Sequence, residues 1–259
     1  MLKKIIPLIL LLITNNIYAL NLSSKYVAVY NETNNKVLYQ KNSNTQVPIA
    51  SITKLLTAIV TLESNQDLNQ TITITNNDKD YLKHTWSRLY VGTKLTKQNA
   101  LLLMLMSSEN RAASALLRNY PGGYAKGILA IQNKIQALNL QHTRIVDANG
   151  LNPQNVSSST DLLKIVKYAA KFDKIRQFST SKRYNFDKKL YINSNPIVRY
   201  NSFNNITLSK TGFINEAGMC LVMRVKIKSS TYIMVFLGSP SKQSRVNDAK
   251  ATYRWLKTL

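Results

Sequence analysis

Apolar residues Ile52, Leu55, Leu56, Ile59 and Val60 recur every three to four positions, and Leu62 widens the stripe, which predicts a largely buried helix starting near Ser51. Upstream, Tyr26–Tyr30 and Lys36–Gln40 carry strand-forming residues on either side of the turn-rich Asn31–Asn35, the pattern of a hairpin. Residues 64–98 are polar, with short alternating runs such as Thr71–Thr75. A strongly apolar helix is predicted over Asn99–Met106. Ser107–Asn110 interrupts it, and a second helix runs over Arg111–Asn119 until Pro121, Gly122 and Gly123 stop it. Two more helices are expected over Tyr124–Leu138 and Thr160–Lys171, the latter capped by Ser159. The Lys- and Asn-rich stretch Ser179–Asn205 is given no element. Beyond it, β-branched runs at Ile206–Lys210, Met219–Lys228 and Thr231–Leu237 predict strands, the last two joined through Ser229 and Ser230. Ser244–Leu259 reads as a closing helix. Strands at both ends with helices between imply an α/β (α+β) fold, in which one antiparallel sheet, assembled from distant segments, is backed by helices.

The first residues change the picture of where this body works. Lys3 and Lys4 precede an apolar run from Ile5 to Ile13, and Ala19 offers a small residue at a cleavage point, so residues 1–19 read as a secretory signal peptide. An apolar core of about ten residues is too short to span a bilayer. Residues 20–259 are then expected to form one domain. With Cys220 as the only cysteine and His84 and His142 as the only histidines, an intrachain disulfide is excluded and a protein-built metal site is not expected. No cofactor is expected, and the chemistry falls to hydroxyls, amines, carboxylates and amides.

Thirty-five Lys and Arg against twelve Asp and Glu give a formal charge of +23. Export argues against nucleic acid as the partner. Lys164, Lys167, Lys171 and Lys174 recur at helical spacing, as a solvated face or as a basic stripe that attracts anionic envelope polymers or lipids.

Three short patterns carry the candidate chemistry: Ser51-Ile52-Thr53-Lys54, Ser108-Glu109-Asn110 and Lys210-Thr211-Gly212. Ser179–Lys182 and Ser239–Lys242 also fit Ser-x-x-Lys, and Ser202-Phe203-Asn204 also fits Ser-x-Asn. Context separates them: Ser179 lies in a polar stretch and Ser239 in an expected loop, whereas Ser51 opens a buried helix. Residues i and i+3 share a helix face, so Lys54 can reach the Ser51 hydroxyl. Lys54 acts as a base only if its pKa falls well below about 10.4. A second ammonium about 5 Å away, supplied by Lys210, contributes roughly 3 kcal/mol at an effective dielectric near 20, and desolvation must supply the rest. Ser108 is then placed to relay a proton between Lys54 and a leaving amine, and the Asn110 amide to hold a substrate backbone group. Lys210 and Thr211, at the end of a predicted strand, would grip a carboxylate. Gly212 leaves room for close approach, and the N–H groups of Ser51 and Phe213 would form an oxyanion hole.

The three patterns in this order resemble the serine β-lactamase and penicillin-binding protein superfamily. Asp80-Tyr81-Leu82-Lys83, Ser87-Arg88-Leu89, Met106–Ala113, Tyr120–Tyr124, Lys210–Gly218 and Cys220–Arg224 narrow the likeness. They are similar to the low-molecular-mass D-alanyl-D-alanine peptidases of the S11 type, and most to the endopeptidase subgroup typified by penicillin-binding protein 7. The resemblance runs from about Tyr26 to the end. It implies a β-lactamase/transpeptidase-like fold with an all-helical lobe and a cleft between lobe and sheet. It implies an acyl-enzyme on Ser51, with Lys54 as base, Ser108 as relay, Asn110 as substrate ligand, and Lys210 and Thr211 as the anionic-group site. Expected partners are peptidoglycan peptides, with β-lactam antibiotics as covalent inhibitors, and the expected place is the periplasm. Since many carboxypeptidase relatives carry a second C-terminal domain or an amphipathic anchor and this chain shows neither pattern, a free or peripherally bound enzyme is expected.

Endopeptidase action on D-alanyl to meso-diaminopimelyl cross-links is the leading expectation. D-alanyl-D-alanine carboxypeptidase action, a non-catalytic cell-wall binding protein and a secreted β-lactamase are the alternatives. Ser239–Ser244 departs from the endopeptidase pattern and leads to Arg245, roughly where some carboxypeptidase relatives place a carboxylate-binding arginine. Glu109 reads as a helix-end or surface carboxylate, His84 and His142 as structural or solvated, and Cys220 as a residue packed in the sheet.

Overall fold

A computed structural model describes residues 20–259, so the expected signal peptide lies outside the described residues. Five strands form the central sheet: β1 (Tyr26–Asn31), β2 (Lys36–Lys41), β3 (Ile206–Ile214), β4 (Gly218–Ile227) and β5 (Ser230–Ser239). They lie antiparallel in the order β2-β1-β5-β4-β3, so the first hairpin joins strands roughly 200 residues away in sequence along the β1–β5 edge, with Val29 opposite Met234. Alternate residues of each strand enter two different cores. Ala28, Cys220, Val222, Ile233 and Val235 face the helical body, while Val27, Val29, Leu221, Met223 and Met234 pack under the C-terminal helix. Burial on both faces is why these strands read as near-continuous apolar runs.

Among the described residues eight α-helices complete the fold: α1 (Lys54–Glu63), α2 (Lys97–Met106), α3 (Asn110–Arg118), α4 (Gly123–Ala137), α5 (Ser159–Ala169), α6 (Asp173–Thr180), α7 (Pro196–Arg199) and α8 (Lys242–Thr258). The predicted central helix is indeed central, since every residue of α1 from Lys54 to Thr61 is buried. Its entry differs from expectation, because Ala50–Thr53 form a 3₁₀ turn and Ser51 sits in that turn.

Several expectations need correction. The cap of α5 is Ser158, whose side chain accepts from the Asp161 amide, while the Ser159 hydroxyl is buried without a partner. The basic stripe is broken, because α5 ends at Ala169 and Lys174 belongs to α6, where it bonds to Gln98. Within Ser179–Asn205 the chain forms a hairpin, Arg183–Phe186 against Lys189–Ile192, and then α7. The turn between β4 and β5 is Lys228-Ser229, one residue earlier than predicted, with Ile227 opposite Ser230. Ser179 is a buried residue of α6 and Ser239 the buried end of β5, where its hydroxyl meets that of Ser24. Lys210 and Thr211 lie in mid-strand, since β3 continues to Ile214. Among the described residues no helix is long and apolar enough to cross a membrane.

Candidate active site

The 3₁₀ turn before α1 carries Ser51, and the next turn of helix brings Lys54 back to it, with Nζ donating to Ser51 Oγ at 2.7 Å. Ala50 enters this turn at φ 47°, a left-handed conformation that a non-glycine residue adopts only where its surroundings enforce it. Two neighbours do so. The carbonyl of Asn149 accepts from Lys54 Nζ at 2.6 Å and from Ser51 Oγ at 3.3 Å. Gly150, at φ 82°, lies so close that an added Cβ would stand 2.0 Å from the Ala50 carbonyl oxygen. From the other side Gly212 of β3 packs against the same turn, where a Cβ would stand 3.1 Å from the Ser51 nitrogen. The β3 backbone, and with it the Gly212–Phe213 peptide, is therefore laid against the Ser51 turn.

The second serine follows α2. Ser108 has φ 65°, and its hydroxyl accepts from Lys210 Nζ at 2.8 Å. The expected direct link from Ser108 to Lys54 is replaced by this one. Asn110, at the start of α3, accepts from Lys54 Nζ through Oδ1 at 2.7 Å and donates through Nδ2 to Thr85 at 2.9 Å. Ser51, Ser108, Asn110, Thr211, Gly212 and Phe213 line one cleft of about 340 Å³. Lys54 and Lys210, 0% and 1% exposed, stand behind its wall.

Burial pushes the Lys54 amine down to about 7, against the opposing pull of the Asp147, Glu109 and Asp80 carboxylates. Lys210 is lowered well below the ordinary lysine value by burial first, and then by the positive charges of Lys54 and Arg245. The sequence reading made Lys210 a main cause of the Lys54 shift. Burial is the larger cause for both amines, and the repulsion between them acts on the pair.

Several contributors escaped sequence reading. Asp147 accepts from the amides of Asn149, Gly150 and Asn152, folding the loop that aims the Asn149 carbonyl at Lys54. Asp-Ala-Asn-Gly is a turn-forming cluster and was the available signal. Thr85 is held by Asp80, and the Ser194 hydroxyl accepts from Thr211 Oγ1 at 2.7 Å. Glu109 is 8% exposed, not a surface residue, and accepts from Ser87 Oγ and the Arg88 amide. Arg245 lines the cleft from the first turn of α8 and bonds to the Cys220 carbonyl, leaving Nε buried without a partner. Cys220 is buried in the sheet as expected. His84 is exposed and His142 half-buried.

The arrangement supplies a hydroxyl beside an amine of lowered pKa, a second hydroxyl on a second amine, and a backbone edge next to both. That set is suited to forming and breaking an ester on Ser51.

Comparison with known proteins gives concordant results. A family model described as D-alanyl-D-alanine carboxypeptidase, Peptidase S11, matches residues 14–241. A D-alanyl-D-alanine endopeptidase of Pseudomonas aeruginosa is 39% identical over 92% of this chain and 78% of its own length. One of Escherichia coli is 36% identical over 86% of this chain and 74% of its own. Among solved structures, the Streptomyces K15 DD-transpeptidase superposes with a TM-score of 0.85 at 27% identity, covering 92% of this chain and 98% of that one.

Proposed function

Because the chain belongs to the D-alanyl-D-alanine carboxypeptidase family of S11 serine peptidases, we propose that it is a D,D-peptidase of peptidoglycan that cleaves cross-links through an acyl-enzyme on Ser51. The observation that carries this reading is the Lys54–Ser51 hydrogen bond of 2.7 Å, made by an amine that burial lowers to about 7. Near neutral pH a substantial share of Lys54 is uncharged and able to accept a proton.

In this mechanism Lys54 Nζ takes the Ser51 proton as Oγ attacks the D-alanyl carbonyl carbon. The developing oxyanion faces the amides of Ser51 and Phe213. Ser108 passes a proton to the leaving nitrogen as the C–N bond breaks, and Lys210 replenishes it through their 2.8 Å contact. Water then adds to the Ser51 ester carbonyl and gives up its proton through Ser108 to Lys210, while Lys54 returns the proton it took to Ser51 Oγ as the ester C–O bond breaks, so both amines regain their starting charge. Lys210 and Thr211 hold the carboxylate of the departing residue. A carboxylate there favours the ammonium form of Lys210 and so restores the charge that burial removes.

Endopeptidase action is supported by the names of the two curated relatives. Carboxypeptidase action is the second reading, favoured by Arg245 lining the cleft. Digestion of purified muropeptides with mass analysis of the products separates them. Endopeptidase action consumes cross-linked dimers; carboxypeptidase action removes only terminal D-alanine from monomers. β-Lactams should acylate Ser51, and the Ser51→Ala protein should carry no adduct. The N-terminal export pattern supports a periplasmic location, which a fusion reporter would test.

A further inference from the structure

A second cavity opens off the catalytic cleft at its Thr211 end. Ser194 lines both, so the residue that accepts the Thr211 hydroxyl hydrogen bond is also the doorway. The cavity, of about 280 Å³, lies between the segment before α2 and the hairpin of residues 183–192, with Trp86, Arg88, Tyr191 and Arg199 on its walls. Its chemistry suits an anionic peptide. Neither Arg88 nor Arg199 lies within 4.0 Å of a carboxylate oxygen among the described residues. Arg88 instead spans the Trp86 and Tyr191 rings at 5.6 and 5.7 Å and bonds to the Leu190 carbonyl, and Arg199 bonds to the Asn193 carbonyl. The Tyr191 residue is 3% exposed, and its hydroxyl has no hydrogen-bond partner, a cost of the kind a ligand acceptor removes. Trp86 is 73% exposed at the rim, an indole face left in solvent. The one carboxylate in the wall, Glu109, is already occupied by Ser87 and the Arg88 amide.

We propose that this cavity is the subsite for the stem peptide on the leaving side of the scissile bond. There Arg88 and Arg199 engage its carboxylates, Tyr191 donates to it, and Trp86 covers it. The inference rests on the D,D-peptidase reading and deepens it. When only D-alanine leaves, its methyl side chain needs no such space. When a cross-link is cut, the leaving residue is the branch point of a second, acidic peptide, which must have somewhere to lie. The other large cavity, beside Tyr81 and Asp147, meets the cleft at Leu151, away from Thr211, and so falls to the acyl-donor strand.

The test compares full-length wild type with Arg88→Gln, Arg199→Gln and Trp86→Ala in two reactions: cleavage of a cross-linked muropeptide dimer and acylation by benzylpenicillin, which lacks a second stem peptide. The ratio of kcat/KM for the dimer to the acylation rate should fall about 10- to 100-fold in each arginine variant, the loss expected for a charge-assisted hydrogen bond, with the change in KM. Trp86→Ala, at an exposed site, should lower the same ratio by a smaller factor. Wild type should also prefer dimers with free carboxylates to amidated ones, and Arg88→Gln should lose that preference. A parallel fall of both reactions, or an unchanged ratio in all three variants, overturns the subsite. Failure of the wild type to be acylated at all, or to cleave any muropeptide, overturns the D,D-peptidase reading itself and is seen before any variant is made.

Discussion

The cleft holds two serine–lysine pairs, and they are built in opposite ways. Ser51 and Lys54 are three residues apart, and a single turn of helix sets their contact. Ser108 and Lys210 are 102 residues apart, and their contact exists only because the loop after α2 docks on the mid-point of β3. The surroundings differ as well. Carboxylates of Asp147, Glu109 and Asp80 temper the loss of charge on Lys54, whereas Lys210 has the cations Lys54 and Arg245 as neighbours. The local pair is thus set by one helical turn, and the distant pair by tertiary docking; in the proposed mechanism the first supplies the nucleophile and the second answers to a substrate carboxylate. Two buried amines in one cleft titrate as a coupled system, so occupancy at Lys210 feeds back on Lys54.

The contrast can be broken experimentally. Removing the proposed nucleophile by Ser51→Ala should lower acylation at least ~10,000-fold, because triad-like units fail as a whole when one member is lost. Intact-mass spectrometry with penicillin should then show no adduct. Ser108→Ala should slow acylation about 100- to 10,000-fold, the range for a positioned proton donor, yet still reach complete labelling at long times because the Ser51–Lys54 pair is untouched. If Ser108→Ala proves as silent as Ser51→Ala, the division between the pairs is wrong.

Gly150→Ala probes the local pair from outside its own segment. A Cβ 2.0 Å from the Ala50 carbonyl, at φ 82°, forces the turn to move at a cost of about 1–3 kcal/mol. A lower Tm in thermal unfolding and slower acylation are expected together.

Acidity gives the gentlest lever. Acylation should rise with pH through about 7 as Lys54 loses its proton, by about tenfold per pH unit below that value. The folded state holds that proton more weakly than the unfolded chain. The unfolded chain therefore binds more protons between about 7 and the ordinary lysine value of 10.5, and the Lys54 contribution to stability rises with pH across this window and is least below 7. Urea unfolding of wild type against Lys54→Met should show a shallower pH slope in the variant.

Legibility followed the range of the forces. The α1 stripe, the first hairpin and the apolar strands stand in the sequence because helix and strand periods are local and the core demands them. Ser51 with Lys54 was readable for the same reason. The hairpin Arg183–Phe186 with Lys189–Ile192 was not, since its strands are four residues each, too short for the alternation of Arg183–Phe186 to stand out from the polar stretch around it. Glu109 looked like a surface residue because acids usually are; only the docking of Ser87 and Arg88 buries it. Asn149 acts through its carbonyl, an atom every residue has, so no side chain announced it.

By itself the sequence determined which segments would be helix or strand in the core, and which hydroxyls and amines the chemistry could draw on. Tertiary structure decided how far burial lowers each lysine, which serine each one meets, and which loop closes on the nucleophile. Those outcomes depend on the solvent excluded and the charges assembled when distant segments pack, and neither quantity exists until the chain has folded.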